Sequence, residues 1–254
     1  MIVAYHRPTT LQEALDLLAR SEPVTVPLGG GTILSRPGAG KFAVVDLQAL
    51  GLNQIERQGD QLMIGATATL QSLYAHAAIP AGLRAAIERE TTYNLRQTAS
   101  VGGAIVSADG RSPFAAALLA LSAVLKWADG TSTSLEEYFA ARKSAVRGLI
   151  LRVAIPAASR IAFETISKTP ADFPILMGAA GWGENGLERL VLGGAGDAPV
   201  AIAWSINREG EQMTAELIEK YMQNAYSQYS NQVFENLDYI KTTSALLLRR
   251  LSSG

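Results

Sequence analysis

Leu28-Gly29-Gly30-Gly31-Thr32-Ile33-Leu34 closes the apolar run Val24 to Leu28, and a second bare stretch, Ser100-Val101-Gly102-Gly103, follows later in the chain. Glycine permits φ > 0 and lets a ligand or another backbone approach the main chain. Successive N–H groups in such a turn can bind a phosphate. Paired, the two stretches read as two halves of a nucleotide cradle; taken singly, each reads equally well as a tight turn. The first is not a Rossmann fingerprint, because G-G-G-T lacks the G-x-G-x-x-G spacing and no suitable helix follows it. Gly38-Ala39-Gly40-Lys41-Phe42 imitates the end of a P-loop. Ser35 stands where its first glycine belongs, and Phe42 replaces the magnesium-binding hydroxyl residue.

The flanks give these stretches a setting. Tyr5 to Arg7 reads as a short strand. Thr10 and Glu13 fit a capping box, with Leu11, Ala14, Leu15 and Leu18 at helical spacing, so 10–20 is an amphipathic helix. Val24 to Leu28 and Ala43 to Leu47 are strands, which makes the opening a small α/β unit. Gln54 to Gln58 and Leu62 to Ala66 bracket Gly59-Asp60, a hairpin signal, and helices follow near 69–77 and 80–90. Thr91 to Gln97 is polar. Ser112-Pro113 supplies an N-cap and a first helical residue for an Ala/Leu helix buried on most sides. Val124 to Trp127 and Thr131 to Ser134 form a second hairpin around Asp129-Gly130. Ser134 and Glu137 cap a short helix. Leu149 to Ile155 is a strand that stops at Pro156, and 156–159 is the linker candidate. Beyond it, strands are expected at 161–167, 174–182, 187–192 and 200–204, with helices near 211–223 and 239–251.

Composition narrows the chemistry. The chain has 254 residues, 48% of them hydrophobic and 18% charged, enough for a substantial core. A net charge of −1 offers no basic excess for nucleic acid or an anionic membrane. With no cysteine, the chain holds no disulfide, thiolate nucleophile or iron–sulfur cluster. Two histidines, His6 and His76, argue against a multi-histidine metal site. The N-terminus lacks the order of a signal peptide, and the longest apolar run, within Phe114 to Leu125, is too short to span a bilayer. A cytoplasmic location is expected.

No Ser-His-Asp or Cys-His arrangement is available, and no catalytic residue is assigned. His76, at a helix end, reads as a C-terminal cap. Arg96 suits a phosphate or a structural ion pair equally. Trp127, Trp182 and Trp204 read as core, and Glu136-Glu137 as an exposed helix start.

The residues resemble one family. Thr10 to Leu18, then Leu28-Gly29-Gly30-Gly31-Thr32, Val44-Val45-Asp46-Leu47 and Ile64-Gly65-Ala66-Thr67 recur in this order in the FAD-binding medium subunits of molybdenum hydroxylases. So do Asn94 to Gly103, Leu118-Leu119-Ala120-Leu121, Ile155-Pro156, Ala162-Phe163, Leu192-Gly193-Gly194 and Tyr239 to Leu251. Carbon monoxide dehydrogenase and the flavin portion of xanthine dehydrogenase belong to that group. The resemblance implies an α+β chain. A two-part FAD-binding domain of the vanillyl-alcohol-oxidase/PCMH type, 1–52 and 53–157, would be followed by a small α+β domain, 158–254.

The resemblance also implies a cofactor, FAD, and a role. Leu28, Gly29, Gly30, Gly31, Thr32 and Ile33 with Ser100, Val101, Gly102 and Gly103 would wrap the diphosphate, and Ile150 would lie near the flavin. The family often carries an aspartate where this chain has Pro113; Ser107 or Asp109 would substitute. Glu164 replaces a lysine found in some members. Electrons would come from iron–sulfur clusters of a small partner subunit, originally from a molybdopterin-containing large subunit, and leave to an external acceptor. Two other readings stay open: a flavin-free scaffold subunit of the same fold, and a free-standing flavin oxidoreductase. Valine at Gly30 or Gly102 is expected to abolish FAD binding with modest cost to folding.

Overall fold

The N-terminal residues alternate and pair as a parallel sheet. In this computed structural model, residues 1–35, 40–142, 148–169, 172, 174–183, 186–194 and 196–203 are described. Strand β1 (Ile2–His6) leads to helix α1 (Leu11–Leu18), whose Thr10 side chain accepts the Glu13 amide. The Glu13 carboxylate reaches back to the Thr9 amide rather than to Thr10, so the capping box is displaced by one residue. Strands β2 (Thr25–Leu28) and β3 (Phe42–Asp46) follow, in the order β1-β3-β2. Ala14 and Leu17 of α1 bury against Val45, Leu47 and Leu149.

Strands β4 (Ile55–Gln58) and β5 (Gln61–Gly65) form the expected hairpin, with Gly59 at φ +63 in its turn. Helices α2 (Leu70–Ala75) and α3 (Ala81–Glu90) come next. The polar stretch after them contains one unforeseen helical turn, α4 (Tyr93–Arg96), capped by Thr92. The Ser-Val-Gly-Gly stretch is the opening of a helix, α5 (Val101–Ser107), rather than a free turn. Helix α6 (Pro113–Ala120) begins at Ser112-Pro113 as expected, and all eight of its residues are buried. The chain continues through β6 (Val124–Trp127), β7 (Ser132–Ser134), α7 (Leu135–Ala141) and β8 (Ile150–Pro156). The Ser134–Glu137 capping box is complete. Pro156 ends β8, where its missing N–H costs nothing. Four antiparallel strands close the described chain: β9 (Arg160–Ile166), β10 (Leu176–Gly183), β11 (Gly186–Gly193) and β12 (Val200–Ala203). The helices expected at 211–223 and 239–251, Trp204, and Gly38-Ala39 lie outside the described residues.

The chain folds as two compact units. The first holds 1–79, 91–107 and 123–157: the three-stranded parallel sheet, α1, α2, α4, α5, α7 and a five-stranded antiparallel sheet in the order β4-β5-β8-β6-β7. Trp127 packs in it against Tyr138 and donates its indole N–H to Thr133. The second holds 80–90, 108–122 and the described residues of 158–203. In it α3 and α6 pack together and lie on the β9–β12 sheet. Backbone touches backbone there: a Cβ on Gly82 would overlap the Ile161 carbonyl, and one on Gly181 the Ala120 carbonyl. The architecture is α+β.

Candidate functional site

The two glycine stretches meet in the first unit. Gly29 to Gly31 leave the C-terminal end of β2, the end of a parallel sheet at which ligands commonly bind. Gly31 takes φ +70, and the Ser35 amide then closes a single helical turn on the Gly31 carbonyl at 3.0 Å. A Cβ on Gly29 would overlap the Ser100 hydroxyl, and one on Gly30 would overlap the Thr98 carbonyl. A Cβ on Gly103 would lie 2.8 Å from Ser100 Oγ, and one on Gly102 3.1 Å from the Ala66 carbonyl. The glycines are therefore needed, first, for the protein's own backbone to close upon itself. The expectation that Gly30→Val spares folding is corrected by this contact, because the valine would collide with main chain.

The donors differ between the two stretches. Among the described residues, no hydrogen bond is donated by the amides of Gly29 to Leu34. These amides fit a diphosphate, and the residues stand partly open, with Ile33 44% exposed. In the second stretch the amides are already engaged. Val101 N–H donates to the Ala68 carbonyl (2.9 Å), Gly102 N–H to the Ala66 carbonyl (2.8 Å) and Ala104 N–H to the Ser100 carbonyl (2.8 Å). Gly103 N–H donates to Ser100 Oγ (3.2 Å), so Ser100 caps α5. What this stretch can still offer an anion is the Ser100 hydroxyl proton, held beside Gly29. The fit to a diphosphate is thus carried by the first stretch and the Ser100 and Thr32 hydroxyls.

The remaining expected positions are spread out. Leu28 ends β2 and is half-buried. Val101 is fully buried. Ser107 ends α5 with its hydroxyl donating back to the Gly103 carbonyl at 2.8 Å. Asp109 belongs to the second unit and binds the Arg111 amide and guanidinium at 2.8 and 3.1 Å. Ile150 opens β8 opposite Trp127 and is 5% exposed. His76 is the C-cap of α2, its amide donating to Leu73.

Sequence reasoning passed over two features. Ala66 and Ala68 supply the carbonyls that hold α5, a role no side chain announces. Glu90, at the end of α3, accepts from the Ser112 hydroxyl (2.8 Å) and the Phe114 amide (2.9 Å), so it caps α6 across sequence. Burial pushes its carboxyl up to about 7, against the two hydrogen bonds, with Asp109 adding to the rise. No local spacing signals that contact. Among the described residues no cluster of three or more His, Asp or Glu is placed to hold a metal ion. No helix there is long and apolar enough to cross a membrane.

Comparisons with known proteins give the chain relatives of similar sequence and of similar fold. The chain is 32% identical over 142 residues to the uncharacterized protein YgfM of Escherichia coli (strain K12), a match covering 55% of each chain, so it spans about half that relative's length. Its fold is similar to a chain of quinoline 2-oxidoreductase from Pseudomonas putida 86, with TM-score 0.71 and 18% identity over 98% of this chain and 94% of that one. It is likewise similar to chains of carbon monoxide dehydrogenase from Hydrogenophaga pseudoflava (TM-score 0.74, 17% identity, 98% and 96% covered) and from Oligotropha carboxidovorans (0.74, 19%, 98% and 96%). The sequence pattern of one family matches residues 1–158, which include both glycine stretches. The chain belongs to the family described as the FAD binding domain in molybdopterin dehydrogenase.

Proposed function

We propose that this chain is the FAD-binding electron-transfer subunit of a molybdenum hydroxylase complex. It would stand between the iron–sulfur clusters of a small partner subunit and an external acceptor, with a molybdopterin-containing large subunit as the site of substrate oxidation. The observation that carries the proposal is the run of undonated amides from Gly29 to Leu34 against the Ser100 hydroxyl, in a chain of this family. FAD, when bound, would supply the redox chemistry; the protein would bind and orient it. Gly29 to Leu34, with the Thr32 and Ser100 hydroxyls, would hold the diphosphate. By the division in sequence order, 1–52 and 53–157 would carry the cofactor and 158–254 would not. A cytoplasmic location is part of the proposal.

The test is direct. Purified protein is expected to be yellow, or to quench flavin fluorescence on titration with FAD at micromolar concentration. It is also expected to co-purify with molybdopterin-containing and iron–sulfur chains. Absence of FAD binding would overturn the reading. The second reading, a flavin-free scaffold subunit, draws on the internally satisfied amides of Val101 to Ala104 and on the Asp109–Arg111 pair. Co-purification with both partners in the absence of flavin would select it.

A further inference from the structure

We propose that Arg96 supplies the fixed positive charge for the diphosphate of the bound dinucleotide, an inference that rests on the FAD-binding reading above. Arg96 lies in α4 and is only 9% exposed. A buried guanidinium normally has an anionic partner, because an unpaired buried charge is costly. Among the described residues the Arg96 side chain has no ion pair and no hydrogen bond, its backbone amide alone donating, to the Thr92 carbonyl (3.0 Å), and its Nε is buried without an acceptor. Its guanidinium is stacked over Tyr74 of α2 at 4.9 Å and beside Tyr93 at 5.8 Å. These rings fix its plane and offset part of the desolvation cost, but they do not satisfy its N–H groups.

Its place in the chain ties it to the glycine stretches. Two residues after Arg96, the Thr98 carbonyl fills the Cβ space of Gly30; Ser100 does the same at Gly29. The start of α2 is fastened to that segment by the Leu70 amide on the Ala99 carbonyl (2.8 Å) and by the Thr69–Ser100 bridge. Thr67 Oγ1 and Gln71 Oε1, on the segment leading into α2 and on α2 itself, are likewise buried without partners. Three buried polar side-chain atoms without partners thus belong to segments that adjoin, in sequence or by backbone pairing, one short stretch, Ala99-Ser100, whose Ser100 also abuts Gly29. While the Gln71 amide oxygen can only accept, a buried cation together with the Thr67 hydroxyl as a donor suits a doubly charged, oxygen-rich group. Arginine's planar fork is the side chain best matched to it. The first glycine stretch would contribute neutral amides, and Arg96 the charge they lack.

The experiment compares FAD and ADP, which share the diphosphate, on the wild-type chain, Arg96→Met and Arg96→Lys. Flavin-fluorescence quenching reads FAD affinity; competition or thermal shift reads ADP. Arg96→Met is expected to weaken both ligands by about 10- to 100-fold, with Arg96→Lys in between. It is also expected to flatten the salt dependence of FAD binding. If folded Arg96→Met binds FAD and ADP as the wild type does, the proposal is overturned while the FAD-binding reading stands. If Arg96→Met does not fold, inorganic pyrophosphate decides on the wild-type chain. A thermal shift with pyrophosphate that Arg96→Lys diminishes supports the site, and no shift overturns it. If the wild type binds no FAD, the functional reading fails and this inference about the dinucleotide fails with it.

Discussion

Two residues show how main-chain geometry sets side-chain choice. At Gly30 the space a Cβ would need is filled by the Thr98 carbonyl, a backbone atom that cannot swing aside. Gly30→Ala is therefore expected to destabilise the protein by about 1–3 kcal/mol through overpacking, read as a lowered urea midpoint without ligand. An unchanged midpoint would mean that the 98–100 segment yields freely. Ser122 is the opposite case. It holds φ +53 just past α6, its amide donating to the Leu119 carbonyl, where helices commonly end in glycine. Left-handed backbone costs an L-residue roughly 1–2 kcal/mol, partly offset by the greater freedom glycine gives the unfolded chain. Ser122→Gly is expected to raise stability by about 0.5–1 kcal/mol, measured by the same denaturation; a fall would show that the Ser122 side chain makes an essential contact.

Between elements, the contact with the clearest pH signature joins α3 to α6. Glu90 accepts from Ser112 and Phe114 at the start of α6, a favourable place for a negative charge, yet burial dominates and lifts its carboxyl to about 7 from an ordinary 4.5. The folded state therefore holds this proton more tightly than the unfolded state. Stability is fully present below about pH 4.5 and is lost as pH rises through about 7. The span corresponds to a loss on the order of 3 kcal/mol. Glu90→Gln removes the titration, so the wild-type stability minus that of Glu90→Gln should fall across this window; a flat difference would show that Glu90 ionises freely when folded. Cross-sequence contacts of this kind explain what the sequence withholds. Local signals placed most strands, both hairpins and the Thr10, Ser112 and Ser134 caps, because each needs only neighbouring residues. Helix α5 was missed because two glycines at its start mask a helix that is held by the Ala66 and Ala68 carbonyls. The two glycine stretches were legible as a pair, but that the second spends its amides internally was not.

At the scale of the molecule, the chain order and the packing order differ. The family pattern ends at residue 158, as β8 gives way to β9, and a cut there looks natural in sequence. Yet α3 and α6, which lie before that point, belong to the unit built on β9 to β12. Helix α6 is Ala- and Leu-rich and buried on every side, with Phe114, Leu118 and Leu119 essentially inaccessible. Such a helix has no polar face with which to tolerate water. Removing 158–254 would strip it of the sheet that covers it, and re-exposing each large side chain costs about 1.5–3 kcal/mol. Across three such residues that rivals the whole stability of an ordinary domain, about 5–15 kcal/mol. A chain ending at Ala157 is thus expected to be aggregated or to bind a hydrophobic dye, even though it contains Gly29 to Leu34, Arg96 and Ser100. Restoring solubility by mutating Phe114, Leu118 and Leu119 to polar residues in the short chain, but not in the full one, would trace the defect to α6. A monomeric, cooperatively unfolding 1–157 that binds FAD as the full chain does would instead show that the first unit folds without the second and that α6 finds other cover.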